Sequence, residues 1–94
     1  MDSAGYSLYV YDRDPVWTRE SRCTGDCAIR FPPLTAATAD HRVEDYRPLV
    51  RQDGIRQWTY KGHLLYRFTA DREPGDTQGD GFDNVWRLAR PGMP

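Results

Sequence analysis

Alternation of large apolar and polar residues is the strongest signal along the chain, and it is a strand signal. Tyr6-Ser7-Leu8-Tyr9-Val10-Tyr11 is rich in aromatic and β-branched residues and runs into the turn-forming Asp12-Arg13-Asp14-Pro15. Three further short runs cover 48–51, 55–60 and 63–68, separated by Asp53-Gly54 and Lys61-Gly62. Asp-Gly is a strong hairpin signal, because a type I′ turn needs positive φ at both central residues; Lys-Gly is a weaker one. Together they predict a three-stranded antiparallel meander. A last strand is expected over 84–89, with Pro91 ending the regular structure. Between these runs, 22–31 has room for a helical turn, and Phe31-Pro32-Pro33-Leu34 must be extended, since proline pushes the residue before it out of the α region. The polar stretch 35–45 reads as a surface loop.

One internal repeat organises the pattern. Leu8-Tyr9-Val10-Tyr11-Asp12-Arg13-Asp14 aligns without gaps on Leu65-Tyr66-Arg67-Phe68-Thr69-Ala70-Asp71, sharing Leu-Tyr-x-aromatic-x-x-Asp. Each copy leads through a Gly-containing loop to an apolar closing segment, around Phe31 in the first and Trp86 in the second. The fold expected is therefore all-β, a small and mainly antiparallel single domain over 1–94, with pseudo-symmetric halves of about 5–34 and 47–91 and a short Cys-containing turn. Strand periodicity places Tyr9, Tyr11, Trp58, Tyr60, Tyr66 and Phe68 on what could be one face, with Leu8, Val10, Ile55 and Leu65 on the other. A stripe of rings is expected to be core, so Phe68→Ala and Trp58→Ala should each cost about 3–5 kcal/mol.

Composition narrows the function classes. The chain has 94 residues, 38% hydrophobic and 13% aromatic, so its core rests on a few large rings. A net charge of −1 with interspersed signs argues against nucleic acid as a partner and against a polybasic membrane patch. No stretch is long and apolar enough for a transmembrane segment, and the first residues show no signal-peptide pattern.

These motifs, taken in order, resemble the secreted-repeat lipoproteins, bacterial envelope proteins of unknown function with a Tyr-x-aromatic-x-x-Asp motif. The likeness covers 5–91: Tyr9, Tyr11 and Asp14; Cys23-Thr24-Gly25-Asp26-Cys27-Ala28; Phe31-Pro32-Pro33-Leu34; Gln57-Trp58-Thr59-Tyr60-Lys61-Gly62; Leu65-Tyr66; Pro74-Gly75-Asp76-Thr77; Gly79-Asp80-Gly81; and Val85-Trp86. Phe31 departs from the family's usual Trp, Arg87 from a frequent His, and His63 stands at a variable position. The resemblance implies a periplasmic or extracellular location and an unknown envelope partner or ligand. It supplies no activity.

In that exported context a Cys23–Cys27 disulfide is the first reading, closing a short loop worth about 2 kcal/mol on the chain-entropy model. The alternative is a thiolate pair for a soft metal such as Cu(I), with His63 as a third ligand, which would make the chain a small metal-binding or redox protein. Asp76-x-Gln78-x-Asp80-Gly81 matches the opening of an EF-hand loop, but Arg87 occupies the place of its bidentate Glu; another oxygen-ligand site at Asp76 and Asp80 stays open beside a plain turn role. Asp14 and Asp71 end equivalent strands and are expected to accept backbone hydrogen bonds in turns, each worth about 0.5–2 kcal/mol against Ala. No nucleophile has a plausible base, so the expectation is a non-catalytic binding or interaction module that needs no cofactor.

Overall fold

The computed structural model describes residues 5–90; Pro91, expected to end the last strand, lies outside them. Strand β1 (Tyr9–Tyr11) precedes a short helix α1 (Asp26–Arg30), and β2 (Tyr46–Val50), β3 (Arg56–Tyr60) and β4 (His63–Leu64) follow. A single 3₁₀ turn (Phe82–Asn84) then leads into β5 (Trp86–Leu88). The chain is all-β apart from these short turns of helix. β2-β3-β4 form the expected antiparallel meander, and β1 pairs with β5 in a second antiparallel sheet.

The two hairpin turns exchange the roles read from the sequence. Lys61 and Gly62 both have positive φ (49° and 88°) between the paired Tyr60 and His63, which is the type I′ backbone. At Asp53-Gly54 only Gly54 is left-handed (φ 87°), and Gly54 donates to the Arg51 carbonyl at 3.0 Å while Arg51 donates to Ile55. This is a three-residue loop with a glycine bulge. Asp53 is not needed at positive φ because its carboxylate instead takes the Ile55 N–H and the Arg51 guanidinium.

Antiparallel bridges at Tyr9↔Tyr66 and Pro33↔Tyr66 join the sheets, so the two motif strands lie side by side with a closing segment on each flank. Each motif strand is flanked by the closing segment of the other half. Asp12 N–H donates to the Val85 carbonyl (2.8 Å) as Thr69 N–H donates to Arg30 (2.9 Å). Ala89 N–H donates to Leu8 (2.8 Å) as Leu34 N–H donates to Leu65 (3.0 Å). Tyr9 and Tyr66 exchange both backbone bonds, at 2.8 and 2.9 Å, on the local twofold axis.

Three expected strands come out much shorter: 84–89 is reduced to Trp86–Leu88 because the 3₁₀ turn takes up Asn84, and the other two for the following reasons. Residues 5–7 leave the sheet for the 72–76 loop, where Ser7 Oγ donates to the Asp76 carbonyl and Gly75 N–H to Gly5. Past Leu64 the regular ladder stops, because Trp58 N–H donates to the Leu34 carbonyl instead of returning the bond its own carbonyl accepts from Leu65, and Pro32 has no N–H to return the bond it accepts from Arg67.

The six rings do not share one face. Tyr9, Tyr66 and Phe68 pack with Phe31, Leu64, Trp86 and Cys23, and Tyr11 lies against that cluster. Tyr60 and Trp58 belong to the other cluster, with Leu8, Val10 and Leu65. The reason is that the residues β3 turns towards the first cluster's side are polar: Gln57 and Thr59 are fully buried and bonded to the Leu65 and Arg47 carbonyls. Ile55, expected beside Leu8 and Val10, is exposed at the hairpin end.

Candidate functional site

The repeated motif closes on itself across the local twofold axis. Tyr9 donates its hydroxyl to Asp71 Oδ2 at 2.5 Å, and Tyr66 donates its hydroxyl to Asp14 Oδ2. The tyrosine of each half is thus bound by the aspartate of the other. The remaining carboxylate oxygens accept backbone N–H groups from the loop that follows: Arg22 to Asp14 Oδ1 at 2.7 Å, Gln78 to Asp71 Oδ1 at 3.0 Å. Each phenol has a second partner from the same loops, Ser21 Oγ at 2.6 Å from Tyr66 and Gly79 N–H at 3.2 Å from Tyr9. Gly79 fits because a Cβ there would lie 2.9 Å from the Tyr9 ring.

The expected backbone-accepting role of the two aspartates holds for one oxygen of each; the phenol bond across the halves is what the sequence did not reveal. Burial is the main cause of a raised Asp14 pKa, offset by the Tyr66 hydroxyl and Arg22 N–H donors and by the charges of Arg51 and Arg22. Burial, reinforced by the facing aspartate, also drives the Tyr9 and Tyr66 hydroxyls well above the usual tyrosine range. Both phenols are therefore held neutral. Asp71→Ala should cost about 1–3 kcal/mol, above an exposed cap, because a buried phenol loses its acceptor and Gln78 N–H its partner. Urea unfolding of this variant checks the value; a loss below about 0.5 kcal/mol would contradict the buried bond.

Rings follow the same exchange. Trp86 stacks on Tyr11 of the first half (4.5 Å between centroids), and Phe31 on Phe68 of the second (4.4 Å). Phe31 and Trp86 stack on each other at 3.6 Å near the axis. The sequence marked both closing rings but not their contact.

The cysteines are joined in a disulfide at the start of α1, with Cα atoms 5.2 Å apart and Cys23 buried against the ring cluster. His63 lies elsewhere, on the wall of the cleft described below, and does not meet the sulfur atoms as a third ligand. Asp76 Oδ2 accepts the Arg72 and Glu73 N–H groups, while Asp80 Oδ1 accepts Leu88 N–H at 3.0 Å, so the two acids serve different backbone sites. Among the described residues no three His, Cys, Asp or Glu side chains gather as a metal-ligand set.

What remains open to a partner is a corner the sequence reading missed. Val16 and Trp17 are about half exposed, at 49% and 50%, and Trp17 has a left-handed backbone (φ 63°), which is costly for a large side chain. It is held there by its N–H bond to the Gly62 carbonyl at 2.7 Å. Gly62 is required: a Cβ would lie 2.6 Å from both the Val16 and Trp17 side chains. The Arg47 guanidinium lies 5.4 Å from the Trp17 ring centre. Beside this corner opens a cleft of about 450 Å³ lined by Val10, Tyr11, Val16, His63, Arg87 and Leu88. The Arg87–Asp12 ion pair, 2.9 Å, sets its charged side. The available signal was two consecutive apolar residues after Pro15 in a polar turn.

No curated protein and no solved structure shows significant similarity to the chain. Residues 49–90, which carry the end of β2, strands β3 and β4, the second motif copy and the Trp86 closing strand, match the family model described as a secreted repeat of unknown function. Over that span the chain is similar to the secreted-repeat family, the same family that its motifs resemble.

Proposed function

We propose that the chain is a non-catalytic binding module of the periplasm or cell exterior, and that it engages an envelope partner through the Val16–Trp17 corner and the adjoining cleft. The observation that carries this reading is Trp17, held half-exposed at an unfavourable φ by a specific bond to Gly62. Such strain persists where surrounding structure imposes it, and it is concentrated at functional positions. An exposed aromatic beside a partly apolar cleft supplies contact area at little cost in side-chain entropy. The motif aspartates support a module that does no chemistry on a bound substrate, since both carboxylates are occupied by phenol and backbone donors. The secreted-repeat match supports export.

A photo-crosslinking amino acid placed at Trp17, in cells exporting the protein, should give a discrete cross-linked species. The same group at Ile29, 71% exposed on α1, should not. Identical patterns from the two positions, or no product from Trp17, would overturn the reading.

A further inference from the structure

The two phenol–carboxylate pairs are alike in hydrogen bonding and unlike in what connects them to the surface. Tyr66 meets Trp86 edge-to-face at 5.2 Å, and Trp86 stacks on half-buried Tyr11 at 4.5 Å. Three readily oxidised rings therefore run in contact from the cleft wall to a buried phenol whose proton already points at Asp14. Around Tyr9 the neighbours are Phe31 (5.9 Å) and Phe68 (6.2 Å), rings too hard to oxidise to relay an electron.

We propose that Tyr66, Asp14, Trp86 and Tyr11 form a proton-coupled site that quenches one-electron oxidants reaching the protein surface. A phenol that loses an electron becomes a strong acid, and a charged radical in a buried site is disfavoured, so oxidation is eased where a base is already bonded to the hydroxyl. Asp14 is that base, and its burial raises its affinity for the proton. One electron passes from Tyr66 through Trp86 and Tyr11 to a diffusible oxidant such as an oxidised metal complex, which is reduced by one electron. The phenolic proton moves along the existing bond to Asp14 Oδ2. The products are a neutral tyrosyl radical, protonated Asp14 and the reduced oxidant; no bond to carbon changes. One electron from a thiol-class reductant and return of the Asp14 proton restore the pair. Ser21 Oγ remains hydrogen-bonded to the tyrosine oxygen throughout.

Flash-quench oxidation of the full chain with photogenerated ruthenium(III) tris-bipyridine, followed by electron paramagnetic resonance and transient absorption, tests the site. The wild-type protein should form a neutral tyrosyl radical, more slowly in deuterium oxide than in water. Tyr66→Phe should abolish that radical and Tyr9→Phe should leave it. Trp86→Phe, which keeps a ring in the stack, should slow its formation, and Asp14→Asn should remove the isotope effect. A radical that survives Tyr66→Phe, one lost equally in Tyr9→Phe, or wild-type protein with no isotope effect would overturn the proposal. The isotope measurement needs no variant, so absence of the effect overturns the proposal even where a substitution unfolds the chain.

Discussion

Trp86→Ala leaves the protein largely unfolded in buffer at 25 °C, whereas Trp58→Ala leaves it folded. Trp86 is 2% exposed, lies against Phe31 on one side and Tyr11 on another, and meets the edge of Tyr66. It therefore ties together rings from both halves. Removing a buried ring of this size costs about 3–5 kcal/mol. A domain this small has a total stability near the low end of about 5–15 kcal/mol, so the loss consumes most of it. Phe68→Ala belongs to the same class, since its ring stacks on Phe31 within the same cluster. Trp58, which the sequence ranked with Phe68, is only half buried at the margin of the second cluster, and its truncation should cost about 1–2 kcal/mol. Urea unfolding followed by circular dichroism separates the cases. Equal midpoints for the Trp86 and Trp58 variants would show that the twofold ring stack is not the centre of stability.

Strand runs, meander and motif duplication were all readable from local patterns, because alternation and turn residues act within a few positions. What pairs with what was not. The duplicated Leu-Tyr-x-aromatic-x-x-Asp shows that two halves are alike, but a repeat carries no statement about whether each half completes itself or its neighbour. The aspartates illustrate the limit. Asp14 Oδ1 bonds the nearby Arg22 N–H, a local turn role the sequence suggests, while Oδ2 bonds a phenol 52 residues away. The ring stripe failed for a similar reason. Period two sorts side chains correctly within a strand, yet which face of β3 turns inward depends on Gln57 and Thr59 finding carbonyl partners on the neighbouring strands. Trp17 escaped notice because its conformation is imposed by Gly62, 45 residues along the chain. At the disulfide the spacing allowed the bond without deciding it, and the exported context implied by the resemblance favoured it over a thiolate pair for a metal; the two Cα atoms lie 5.2 Å apart.

The reciprocal tyrosines also set the alkaline limit of the fold. Tyr9 and Tyr66 have hydroxyls raised far above their ordinary value of 10.0, first by burial and then by the facing aspartates. A group whose pKa is higher in the folded state stabilises the fold fully below its unfolded pKa and loses that contribution as pH rises through the folded one. Each phenol then contributes a slope of about 1.4 kcal/mol per pH unit above pH 10, and the pair about 3 kcal/mol per unit. From pH 10 upward the two losses act together, so the urea midpoint should fall steeply as pH rises. Asp14 acts at the other end of the scale: its raised pKa favours the fold below about 3.8, and that contribution is lost as pH rises through the folded value. Urea midpoints measured at half-unit steps from pH 9 to 12 give the alkaline slope directly. Tyr9→Phe lowers stability at pH 8 by the lost hydrogen bond and flattens the alkaline slope, because one of the buried titrating phenols is gone. A slope unchanged by that substitution would mean that Tyr9 ionises in the folded protein as it does in the unfolded chain, and the reciprocal pairing would not be the source of the limit.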